Sequence, residues 1–121
     1  MQNSLVVAFH RDASPTADKD ALEKIIFNLY PQSVTISTQQ DLTARIRLNL
    51  TRSFRHSIHG DNASEAVSNF KEQMSRHPIV IVTDRDDMKL AATEANIPVI
   101  DAGNNFHSIS DALRDLSLQH G

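Results

Sequence analysis

The sequence predicts an α/β protein: one domain of three layers, with helices on both faces of a mainly parallel four-stranded sheet. Three observations carry that reading. Short apolar runs of strand length recur along the chain, at Leu5–Phe9, Val34–Ser37, Ile79–Thr83 and Ile97–Ile100. Continuous apolar runs of this kind suit strands buried on both faces. Helical patterns separate them, and strands that alternate with helices imply crossover connections and a parallel sheet. The 121 residues contain no internal repeat and no Pro/Gly/Ser-rich linker, so residues 1–121 read as a single domain. Right-handed crossovers favour the strand order 2-1-3-4. A ferredoxin-like antiparallel sheet is the rival arrangement.

Ser14-Pro15 opens the first helical pattern with a capping side chain and a proline at the first helical position. Leu22, Ile25, Ile26 and Leu29 then recur at helical spacing until Tyr30-Pro31 stops them. Residues 43–51 alternate, and as a strand they would form a hairpin with Val34–Ser37. A helix is preferred over residues 42–60. Thr38 and Asp41 make a capping pair, Leu42, Ile46, Leu50, Phe54 and Ile58 recur every four residues, and Gly60 is a natural stop. Asn62 caps a further helix with Glu65 three residues on, and Ala66, Val67, Phe70 and Met74 form its apolar stripe. Thr83 and Asp84 are expected to cap a helix running to about Ala95. Ser108 and Asp111 resemble a capping box for the last helix, whose buried face is Ile109, Ala112, Leu113 and Leu116.

Composition excludes several classes of function. No cysteine is present, which removes disulfides, thiolate metal sites and cysteine nucleophiles and fits a cytoplasmic protein. No apolar run approaches the ~18–20 residues of a membrane span, so no membrane partner is expected. The amino-terminal residues lack the basic leader and cleavage site of a signal peptide. With three glycines and no glycine-rich motif, a phosphate-cradling loop is not expected, and no nucleophile elbow or zinc-protease motif occurs.

In an open parallel sheet, ligands bind beyond the carboxyl ends of the strands, where the strand order reverses. The segments there are His10-Arg11-Asp12, Thr83-Asp84-Arg85-Asp86-Asp87 and Asp101-Ala102-Gly103-Asn104-Asn105. Carboxylates sharing one edge repel one another unless a cation lies between them, and Mg²⁺ and Mn²⁺ prefer oxygen ligands. Capping is the other use of these acids, because a helix N-terminus favours negative charge. His10 ends the first strand, where an imidazole serves as general base, phosphoryl acceptor or ligand. His56 and His59, three residues apart, have a spacing that binds metal from one helix face.

The segment IVIVTDRDDMKLAATEANIPVID, residues 79–101, resembles the C-terminal part of PIN-like nuclease domains. In those an apolar strand ends in a Thr-Asp or Ser-Asp step, a helix follows, and a short strand returns. The resemblance implies a ribonuclease dependent on Mg²⁺ or Mn²⁺. Its metal ligands, and its catalytic candidates, would be Asp84, with Asp86 or Asp87 beside it, and Asp12 as the early acid. Glu65 would be the helical acid.

Charge patterning supplies the leading functional expectation. Residues 42–60 hold Arg45, Arg47, Arg52 and Arg55 and no acid; with −3 overall and +4 here, the remainder carries −7. On one helix, Arg45, Arg52, Arg55, His56 and His59 would share an arc of about 100°. A basic stripe on an otherwise acidic protein suits an anionic partner, nucleic acid included. Aromatic residues are few, which disfavours single-strand binding by base stacking. The expected function is therefore a small regulatory or interaction domain, with the metal-dependent nuclease as the alternative. A homodimer is expected through the last helix, where Leu116 and Leu118 cannot share one stripe. Pro98 blunts the fourth strand against edge pairing.

Overall fold

A computed structural model describes residues 5–11, 17–47 and 57–120 of the chain. Five parallel strands form one sheet: β1 (Val6–His10), β2 (Val34–Thr38), β3 (Ser57–Gly60), β4 (Ile79–Thr83) and β5 (Val99–Asp101), in the order β3-β2-β1-β4-β5. Five helices connect or follow them: α1 (Ala17–Leu29), α2 (Gln39–Arg47), α3 (Ala63–Gln73), α4 (Asp86–Glu94) and α5 (Phe106–His120). The fold is α/β and Rossmann-like, as expected. The four anticipated strands keep their relative order, and β3 is a fifth strand beyond β2.

Side chains alternate across each strand, and the two faces build two cores. Val6, Ala8, Val34, Ile36, Ile58 and Ile81 meet Ala66, Val67 and Phe70 of α3 and Met88 and Ala92 of α4. On the other face Val7, Phe9, Val80 and Val82 meet Leu22 and Ile26 of α1 and Ile109 and Leu113 of α5. The central strand β1 is buried at every position, as expected of a strand covered on both faces.

The single helix expected over residues 42–60 is corrected. Helix α2 ends at Arg47, residues 48–56 lie outside the described residues, and Ser57–Gly60 is a strand. Ile58 satisfies both patterns, the four-residue period of a helix and the inward position of a strand. Pairing decides: Ile36 stands opposite Ile58 and Thr38 opposite Gly60, which extends the sheet beyond β2. The alternative hairpin is also absent, because residues 43–47 are helical and β2 pairs only in parallel. Gly60 does not stop a helix. It ends β3 against the first turn of α3, where an added Cβ would fall 2.2 Å from the backbone nitrogen of Ala66.

Two helix starts differ from expectation. The N-cap of α4 is Arg85, with no side-chain cap, in place of Thr83 or Asp84. Helix α5 starts at Phe106, before the expected box of Ser108 with Asp111. Asn105 caps it instead: its Oδ1 accepts from the backbone N–H of Ser108 at 2.9 Å, so Ser108 lies inside the helix. Asn62 caps α3 as expected, accepting from the N–H of Glu65 at 2.9 Å. At the far end of α4, Asn96 takes a positive φ of 62°. This lets Ile97 N–H reach the Ala92 carbonyl and Asn96 N–H the Thr93 carbonyl, which closes the helix and turns Ile97 into the core.

The close approach at Gly60 yields a stability prediction. Gly60→Ala must push apart β3 and the backbone of α3, so it should destabilise the fold by about 1–3 kcal/mol, read from urea midpoints.

Candidate functional site

The strand order reverses between β1 and β4, so the carboxyl ends of these strands define the crevice where this fold binds ligands. Val6 pairs with Ile79 and Phe9 with Val82, so the next step sets His10 beside Thr83. Both side chains point to the α3/α4 face, in line with Ala8 and Ile81. His10 Nδ1 lies 2.8 Å from Thr83 Oγ1, and His10 Nε2 lies 2.8 Å from Asp41 Oδ2.

Asp41 reaches this point because β2 lies next to β1 and ends in the capping box of α2. The N–H of Thr38 donates to Asp41 Oδ2 at 3.0 Å, and the N–H of Asp41 donates to Thr38 Oγ1 at 3.2 Å. The Arg85 guanidinium donates to Asp41 Oδ1 from the other side. Arg85 also grips Asp87, through Nε to Oδ1 at 3.2 Å and through its second terminal nitrogen to Oδ2 at 2.8 Å. One carboxylate thus joins β1, the end of β2, α2 and the start of α4. The side chains of His10 and Asp41 are only 1 % and 3 % exposed.

Ionised Asp41 can only accept, so His10 Nε2 donates to it, and Nδ1 meets the Thr83 hydroxyl. Thr83 Oγ1 in turn accepts the backbone N–H of Arg85 at 3.1 Å. Burial pushes the Asp41 carboxyl up, but the bonds from His10 and Thr38 outweigh it and hold the group at about 2, against an ordinary 3.8. A hydroxyl, an imidazole and a carboxylate in a row have the parts of a nucleophilic relay. Here Thr83 is 1 % exposed, so the row acts as an internal clamp.

The acids flanking this clamp are engaged with cations. Lys89 Nζ donates to Asp101 Oδ2 at 2.8 Å, and the N–H of Gly103 donates to Asp101 Oδ1 at 2.8 Å. The bond to Lys89 holds the Asp101 carboxyl below its ordinary value, and the bond to Asp101, with the charges of Asp86 and Asp84, raises Lys89. Asp84 and Asp86 are exposed, and Glu65 is exposed in the first turn of α3. Asp12 lies outside the described residues. Among the described residues no group of three or more His, Asp or Glu side chains is arranged to hold a metal ion.

Of the basic candidates, His59 is exposed on β3, not on a helix shared with Arg45, so the expected one-helix stripe is not formed. Arg45 lies in α2; Arg52, Arg55 and His56 lie outside the described residues, so the His56–His59 spacing has no described helix to act on. Arg47 is exposed and borders an open trough of about 630 Å³ along α2, with Gln39, Gln40, Thr43 and Asp61. Sequence reasoning noted His10 and the Thr38–Asp41 pair separately and gave Arg85 no role. The adjacency of the first two strands was the signal that joins them. No helix among the described residues is long and apolar enough to cross a membrane. No protein-family model, no curated protein and no solved structure matches the chain.

The clamp has an acid limit. The Asp41 carboxyl is held low in the folded state, so its contribution is complete above about pH 4 and is lost as the pH falls through about 2. Wild type should lose roughly 2 kcal/mol through this group over that window. Asp41→Asn should be less stable than wild type near pH 6 and should lack this part of the acid slope, as read from urea unfolding at a series of pH values.

Proposed function

We propose that the protein is a small cytoplasmic α/β domain with a regulatory or interaction role, which recognises an anionic partner through a basic surface carrying Arg45, Arg52, Arg55, His56 and His59. The observation that carries this reading is the burial of the clamp. The groups best suited to chemistry, His10 and Thr83, are bonded within the chain and closed to solvent, whereas Arg47 and His59 are exposed. Four arginines without an acid, in a chain otherwise carrying excess negative charge, favour phosphate oxygens, which the guanidinium fork binds in pairs. Nucleic acid is the partner class that fits this chemistry, held by its backbone and not by base stacking.

The second reading is the divalent-metal ribonuclease of PIN-like type. The observation in its favour is that Asp84, Asp86 and Asp101 all act on the single ammonium of Lys89, an excess of negative charge that Mg²⁺ or Mn²⁺ would offset.

Binding to a labelled RNA duplex, measured across salt concentrations, tests the first reading. Wild type should bind with an affinity that falls steeply with salt. Arg52→Glu with Arg55→Glu should weaken binding at least about tenfold while leaving the circular dichroism spectrum unchanged. Unchanged affinity in the double variant removes this surface. Mn²⁺-dependent cleavage of the same RNA, lost in Asp84→Asn, would replace this reading with the second.

Self-association is proposed on α5, where Leu118 is 73 % exposed and Leu116 is partly covered by the core. Sedimentation at micromolar concentration should show a dimer that Leu118→Glu converts to monomer. A wild-type monomer removes the dimer, and a dimer that survives the substitution removes this surface.

A further inference from the structure

Helix α2 differs from the other helices in what holds it. Helices α1, α3, α4 and α5 bury apolar side chains in the two cores. Among the α2 residues whose side chains are described, the only buried one is Asp41. Ile46 is 63 % exposed, and Leu42 and Ala44 are half-buried. The helix is therefore seated by a carboxylate and not by an apolar stripe.

The donors around that carboxylate come from elsewhere in the fold. His10 Nε2 belongs to β1, the Thr38 N–H to the end of β2, and the guanidinium of Arg85 to the N-cap of α4. They converge on two oxygens in one plane, Oδ2 taking His10 and Thr38 and Oδ1 taking Arg85. The slot lies at the reversal of strand order, where open α/β sheets bind ligands. His10 is almost wholly buried, so the imidazole is fixed in place by the body of the protein. Arg85 is one-third exposed on the side toward solvent and is steadied by Asp87.

We infer that this slot is a carboxylate-binding site whose internal occupant is Asp41, with α2 as the lid that the occupant holds shut. A ligand carboxylate takes the place of the Asp41 side chain on His10, Thr38 and Arg85, and α2 lifts because little apolar surface binds it to the sheet. No bond is made or broken; one oxyanion replaces another on the same donors. Lifting α2 uncovers His10 and Thr83 at the crevice. None of the slot's donors belongs to the basic surface proposed above, so the Arg52→Glu/Arg55→Glu variant keeps all of them.

Two measurements test the inference. In wild type, backbone amides 43–47 should exchange with solvent by local opening, at least about tenfold faster than those of Ala66–Phe70 and with little dependence on urea. Equal protection in the two helices would show that α2 opens only with global unfolding, and would overturn the lid. In Asp41→Ala the slot has lost its occupant. Sodium acetate at about 100 mM should raise the melting temperature of this variant, or restore its folding if it is unfolded, relative to sodium chloride at the same pH and ionic strength. No difference between acetate and chloride would overturn the slot. Inorganic phosphate should act more weakly than acetate, because the donors are set for two coplanar oxygens; an equal or larger effect of phosphate would overturn the assignment to carboxylates.

Discussion

A buried carboxylate has to be paired, and in this protein the pairing of Asp41 ties together the carboxyl ends of β1 and β2, helix α2 and the start of α4. An isolated charge at this depth would be expelled or neutralised. Asp41 avoids both outcomes by accepting from Thr38, three residues before it, and from two elements distant in sequence, β1 and the N-cap of α4. The parallel register is a precondition, since only the pairing of Val6 with Ile79 sets His10 beside Thr83. The capping box is another, since it turns the chain at Thr38 so that the acid points back over β1. Local helix-capping chemistry and long-range strand pairing meet on one side chain.

The charges at the carboxyl edge of the sheet are matched in pairs. At the carboxyl edge, Asp87 is matched by Arg85 and Asp101 by Lys89, so acids that cluster in sequence are divided between two cations in space. Helix ends receive the same treatment: Lys71 Nζ donates to the Ala95 carbonyl at the C-terminus of α4, where positive charge is favoured. The free edge of β3 is also covered in part, because the Asn69 side chain donates to the His59 carbonyl at 2.8 Å. That bond occupies an acceptor that an added strand would need.

Much of the fold was legible in the sequence because β1 and β4 are nearly continuous apolar runs and β2 is rich in β-branched residues, which few other settings accommodate. Helices with a strong local signal were legible too: Asn62 and Glu65 open α3, and Thr38 and Asp41 open α2. Strand β3 was hidden because four residues carry little pattern and Ile58 fits a helical series equally well. Its pairing with β2 is a non-local fact. The start of α4 was misjudged for a related reason. Thr83 and Asp84 look like caps, but Thr83 commits its hydroxyl to His10, a residue 73 positions away. Single residues of the site could be read from the chain, whereas their meeting depended on which strands are neighbours.

The central position of β1 has a consequence for how the chain is made. Its two neighbours are β2, which follows after one helix, and β4, whose paired residue lies 73 positions on. During synthesis β1 can therefore complete only one side of its ladder until residues 79–83 have appeared. Over that interval the future middle of the sheet is an outer strand, apolar on both faces and with no charge to guard it. Contacts of such long span are slow to form, because a large loop must close before they contribute. The nascent chain is thus most exposed to self-aggregation before β4 is synthesised, and a chaperone that shields Val6–Phe9 would act in that window.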